Sequence, residues 1–181
     1  MTPQELNARQ MPLKERYLGN PKEAATNLSG SVCLGPDITN KITIGNQIVE
    51  TGLHAGTGGS ESNICPGVIF LSSLAACSGI TLSAVATHMG LQEVYGKITA
   101  IGLLDLRGTL GVDPAVPVGF KGIELKIELE TEASNQEIEK LLEMTERYCV
   151  VLQTLVSPPK ICIQRKRIKK RNDNRSAHDF K

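Results

Sequence analysis

From Ser62 through Thr87 no residue carries a charge, and Pro66 and Gly90 bracket the apolar part of this stretch. Proline is well suited to the first helical position, where its missing N–H has no partner to lose, and glycine suits the stop. The sequence therefore predicts one helix over 66–89, which at about 1.5 Å per residue crosses a small domain. A helix apolar on every face is covered on every face, by a core or by lipid. Its length alone meets the requirement for spanning a bilayer. Ser72, Ser73, Ser78, Thr81, Ser83 and Thr87 dilute its apolarity, and the flanking sequence patterns as soluble, so a buried core helix is expected and no membrane partner.

The flanking segments alternate between strand and helix signals. Residues 1–30 are polar and helix-prone, a lead segment ahead of the main domain. In Lys41–Thr51, Ile42 and Ile44 alternate with polar residues, and Gly45-Asn46 offers a two-residue turn before Ile48, which is a hairpin pattern. Strand-like runs follow at 97–107 and 120–131. In the second, Ile123, Leu125, Ile127 and Leu129 alternate with charged residues, so one face is buried and one is wet. Ser134 and Glu137 form a capping-box signature. The helix they open sets Ile138, Leu141, Leu142, Thr145 and Cys149 on one face, with Cys149 toward the core. A short strand is expected at 161–168. The order β-β-α-β-β-α-β points to an α+β fold with antiparallel sheet, a main domain over 31–168 and a basic, disordered tail over 169–181.

Charge supports that division. From Lys160 onward nine Lys/Arg face two Asp, whereas the first 159 residues hold eleven Lys/Arg against seventeen Asp/Glu. The run at 165–171 has the sign to attract nucleic acid, but like-charge blocks are more often simply solvated, and nucleic acid is not the expected partner. Five cysteines, at 33, 65, 77, 149 and 162, lack the dense even spacing of a disulfide scaffold. With no apolar leader at the N-terminus, the expected setting is reducing and cytoplasmic.

In that setting, paired thiols suggest chemistry. A thiolate that attacks a peroxide becomes a sulfenic acid, and a second thiol condenses with it to a disulfide. Cys77 and Cys149 lie on two helices able to pack together, and a bridge requires their Cα atoms within about 7 Å. Taken singly, each is equally a packing residue, since free cysteine is among the most buried residue types.

Two motifs go further. Pro66–Leu82, PGVIFLSSLAACSGITL, resembles the central-helix motif of the OsmC/Ohr hydroperoxide reductases, and Glu146-Arg147-Tyr148-Cys149 with Gln153-Thr154-Leu155 resembles that family's second-cysteine motif. The similarity extends over roughly 30–165 at the level of pattern. It implies antiparallel sheets around two central helices, an intertwined homodimer, Cys77 as the peroxide-attacking thiol and Cys149 as the resolving thiol. It further implies hydroperoxide as substrate, a dithiol or lipoyl-type thiol as reductant, and neither metal nor other cofactor. The chain differs from the family pattern at Val150, where proline is usual, and at Gly67, where a glutamate is usual. It also has no arginine in the loop before the helix, where one branch carries one.

A cation near sulfur lowers a thiol pKa. The candidates for that auxiliary role are His54, in the loop, with Arg107 and Arg147. Cys65, at the start of the long helix, is a rival nucleophile favoured by the helix dipole. The alternative to an enzyme is a non-catalytic dimer of the same fold that senses redox state or binds a ligand or partner.

Overall fold

The computed structural model describes residues 1–167. Its elements run α1 (Pro3–Gly19), β1 (Val32–Leu34), β2 (Asn40–Ile44), β3 (Gln47–Thr51), α2 (Pro66–Met89), β4 (Tyr95–Leu103), α3 (Leu106–Thr109), β5 (Gly122–Glu130), α4 (Asn135–Tyr148) and α5 (Val150–Val156). The mixed antiparallel α+β class expected from the pattern is the class observed.

Local chemistry sets most of these boundaries. Thr2 and Glu5 close a capping box on α1, and Ser134 and Glu137 do the same on α4. Pro66 opens α2. Gly90, in the left-handed region at φ 74°, stops it with its N–H turned back to the Ala86 and Thr87 carbonyls. Gly45 has φ 59° at the first central position of the β2–β3 turn, a geometry that favours glycine in a two-residue hairpin.

β1, β2 and β3 form one antiparallel sheet in that order, and β4 pairs with β5 in a second, with Ile98 opposite Ile127 and Ala100 opposite Leu125. α2 packs against α4, α5 and β4, and α1 lies against α2. The core gathers where α2 meets α4: Leu82, Ala86 and the wholly buried Leu141 are surrounded by Val85, Ile98, Ile127 and Leu129. Removing the Leu141 side chain beyond Cβ leaves a cavity at this junction. Leu141→Ala is expected to lose about 3 kcal/mol of stability, read as a lower urea midpoint with unchanged slope.

Three features depart from expectation. Ile161–Arg167 forms no strand, and Ile161 and Ile163 stand 82% and 73% exposed. Alternating apolar residues make a strand only beside a free edge, and within the described residues none lies alongside; Ile168 and the tail at 169–181 fall outside them. The second helical segment also breaks at Cys149, which ends α4 and begins α5.

The third departure concerns α2. It is long and apolar enough to cross a membrane by length and composition, yet only 17% of its most apolar window is buried within the chain. One such helix, packed on a sheet and three other helices, is weak ground for a membrane span. Leu74, Ser78, Leu82 and Ala86 form the buried stripe at every fourth position. Val68, Ser72, Ala76, Ile80 and Ser83 form an exposed stripe, two residues out of phase and so on the opposite face. The core covers one side of this helix and leaves the other bare.

The candidate thiol site

Cys77 and Cys149 come together from different elements. Cys77 sits mid-way along α2, partly exposed, one residue before the buried stripe position Ser78. Cys149 is wholly buried at the α4–α5 break, with its N–H bonded to the Thr145 carbonyl at 3.0 Å. Its inward placement follows from the apolar face of α4 recognised in the sequence. Both are free thiols, carried on helices that pack together.

The sulfur of Cys149 meets the Ser78 hydroxyl at 3.4 Å. Burial pushes the Cys149 thiol up, disfavouring the charged form. Against it act the Ser78 hydroxyl, the Leu152 amide, the Cys77 thiol and the Val151 amide, and together they leave the thiol below its ordinary value. The two amides stop short of a capping hydrogen bond, so the Ser78 hydroxyl is the defined partner among them. Ser78 was not among the residues singled out from sequence. The signal for it was there, because a polar residue at a position in step with Leu74 and Leu82 lies on the buried stripe.

The remaining candidates lie elsewhere. His54 and Cys65 line one cavity of about 270 Å³ with Thr51, Pro66, Leu104 and Leu106, at the opening turn of α2. Cys65 and Cys77 are twelve residues apart on that helix, about 18 Å of rise. His54 caps a short 3-10 turn, its Nδ1 accepting the Gly56 N–H at 3.0 Å.

Arg107 is committed to Asp105, donating from Nε at 3.0 Å and from Nη2 at 2.7 Å. Arg147 is exposed, with its guanidinium 5.5 Å from the Tyr148 ring centre. Among the described residues, no His, Lys or Arg side chain hydrogen-bonds either sulfur of the pair, and no three His, Cys, Asp or Glu side chains cluster as a metal would require.

The Asp105 pair has a testable signature. The Arg107 hydrogen bond, aided by the charges of Arg107 and Lys121, outweighs partial desolvation and lowers the carboxyl to about 2. A depressed folded pKa means that the stabilisation is complete above the unfolded value, about 3.9, and is lost as pH falls through the folded one. An NMR titration should place the Asp105 midpoint near 2, and Arg107→Ala should return it toward the ordinary carboxylate range.

Known proteins share this architecture. An OsmC-like protein from Mycoplasma pneumoniae superposes with a TM-score of 0.59 at 18% identity, covering 74% of this chain and 89% of its own. An organic hydroperoxide resistance protein from Elizabethkingia anophelis, solved with thiocyanate bound, gives 0.53 at 16% identity, with 74% and 91% covered. A Legionella pneumophila protein described as an organic hydroperoxide resistance protein OsmC gives 0.54 at 17%, with 74% and 93% covered. At these identities the likeness speaks to the fold. No curated protein sequence matches the chain. The family model described as OsmC-like protein, however, matches residues 58–164, which include α2, both sheet-forming strands β4 and β5, and both cysteines of the pair. The chain belongs to the OsmC-like protein family.

Proposed function

We propose that this protein reduces hydroperoxides with a thiol pair, Cys77 attacking and Cys149 resolving. The observation that carries the reading is the placement of one partly exposed and one wholly buried thiol on packed helices, with the residue that follows Cys77 hydrogen-bonded to the Cys149 sulfur. The accessible sulfur is the one a peroxide can reach. The Cys77 thiolate attacks one peroxide oxygen, the O–O bond breaks, and Cys77 becomes a sulfenic acid while the departing alkoxide takes a proton to leave as alcohol. The Cys149 thiolate then attacks the Cys77 sulfur, the S–S bond forms and the S–O bond breaks. The expelled hydroxide is protonated to water. A dithiol of the lipoyl type restores both thiols by exchange.

The bare faces of the chain support a homodimer. The exposed stripe of α2 is uncharged and mostly small-sided. The β1–β3 sheet leaves Val32, Leu34, Ile44 and Ile48 between 46% and 89% exposed. Against the rest of the chain, that sheet is tied through the Thr51–Ile64 bridge. A second copy covering these surfaces accounts for all of them at once. Five free cysteines, two of them needed reduced for each turnover, suit a cytoplasmic setting.

The rival reading is a non-catalytic, redox-sensing or ligand-binding dimer. What favours it is the engagement of Arg107 with Asp105 and the siting of His54 at a separate cavity. One experiment separates the two. With one equivalent of organic hydroperoxide and a dimedone-type trap, mass spectrometry should find the sulfenic acid adduct at Cys77 within seconds. An adduct absent from Cys77, with peroxide unconsumed over minutes, would sink the peroxidase reading.

A further inference from the structure

We infer that Ser78 is the positioning residue of the resolving step, its buried hydroxyl holding the Cys149 sulfur as a thiolate directed at Cys77. The inference rests on the roles proposed above for the two cysteines.

Hydroxyls on helices usually bond back to a carbonyl one turn earlier. Ser73 does so to Phe70 at 2.7 Å, Thr87 to Ser83 at 2.8 Å and Thr145 to Leu141 at 2.7 Å. Ser78 does not. Fully buried on α2, it reaches across to the Cys149 sulfur, its hydrogen-bond partner among the described residues. Because Ser78 follows Cys77 directly in the chain, this one bond ties the second sulfur to the backbone that carries the first.

Burial makes the bond matter. A thiolate sealed from water is costly unless a donor faces it, and Cys149 has no exposed surface. Once the thiol is ionised, its sulfur can only accept, so the Ser78 O–H becomes the donor. The proton lost by Cys149 balances the hydroxide expelled from Cys77, and the products are a disulfide and water. Without Ser78, the burial penalty keeps the proton on sulfur, and closure waits for the small ionised fraction. The bond also restrains the Cys149 side chain, so the attacking sulfur is held beside the atom it must reach.

The test is a single-turnover experiment with two readouts. Wild type, Ser78→Ala and Ser78→Thr are mixed with one equivalent of hydroperoxide. Sulfenic acid formation at Cys77 and disulfide closure are then timed separately between pH 5 and 9. In parallel, the Cys149 thiolate is titrated by its ultraviolet absorbance, as the difference from the matching Cys149→Ser protein.

Ser78→Ala is expected to slow closure at least tenfold more than it slows sulfenic acid formation, with the Cys149 midpoint moved up. Ser78→Thr, which keeps the hydroxyl, should restore both. A Ser78→Ala protein that closes with an unshifted midpoint, whether at the wild-type rate or uniformly slower at every pH, overturns the inference. Failure of the peroxidase reading looks different: no sulfenic acid forms at Cys77 in wild type. The thiolate titration still decides the Ser78 contact in that case, because equal midpoints in wild type and Ser78→Ala overturn it.

Discussion

The Cys149→Ser protein is expected to consume one equivalent of hydroperoxide per subunit rapidly, a second only slowly in excess peroxide, and then stop. Cys77 is the partly exposed thiol and is left intact by this change, so the first oxidation proceeds. No second sulfur remains beside it, since Cys65 lies at the far turn of α2 and Cys33 and Cys162 are exposed elsewhere on the chain. The sulfenic acid then persists, and excess peroxide drives it to the sulfinic acid, which ordinary thiols do not reverse. Steady-state turnover with a dithiol should fall at least a hundredfold. The intact mass of the oxidised protein should climb by one oxygen and then by two. Serine is close to cysteine in size and keeps a polar atom toward Ser78, so the core around Leu141 is left packed. A Cys149→Ser protein that turns over like wild type would mean that another thiol resolves Cys77, and Cys65 would be the first to replace in turn.

How far the sequence reached depended on whether the governing interaction was local. The ends of α2 were legible because Pro66 and Gly90 act within one turn of the helix they bound. The start of α4 was legible because Ser134 and Glu137 cap it by themselves. The β2–β3 hairpin followed from Gly45, and the burial of Cys149 from a face that repeats at helical spacing.

The break at Cys149 was not legible, since Val150–Val156 is helical and nothing in Tyr148–Val150 is a helix breaker. It depends on how α4 and α5 each settle against α2. The expected strand over 161–167 failed for the same kind of reason, because a strand is defined by the edge it joins and, among the described residues, none lies beside it. The Ser78 contact spans 71 residues. Its burial could be read from the stripe, but its partner could not. Arg107 looked available from sequence, although the partner that takes it up, Asp105, lies only two residues away.

Ile80→Asp is expected to convert the protein from dimer to monomer at micromolar concentration, by sedimentation velocity. Ile80 is 75% exposed within the chain and central on the stripe of α2 that runs Val68, Ser72, Ala76, Ile80, Ser83. Small residues along such a stripe let two helices approach to the lower end of the usual 8–10 Å separation. In a twofold dimer each copy presents the same patch, so the substitution places two like charges near one another in an apolar contact. An unpaired buried carboxylate costs several kcal/mol, against about 8 kcal/mol for a micromolar dimer. On an exposed helical face of the separate chain the same residue costs only about 0.5 kcal/mol in helix propensity, so the monomer should stay folded by circular dichroism. Ile80→Leu, apolar and of equal size, should leave the dimer intact. Cys77 lies between the exposed and buried stripes, next to Ala76, so a partner seated on the bare face also walls the approach to its sulfur. Peroxide turnover should therefore fall together with the dimer fraction as the Ile80→Asp protein is diluted. A wild-type protein that sediments as a monomer would remove the homodimer from the proposal, and an Ile80→Asp protein that stays dimeric would move the interface off this face of α2.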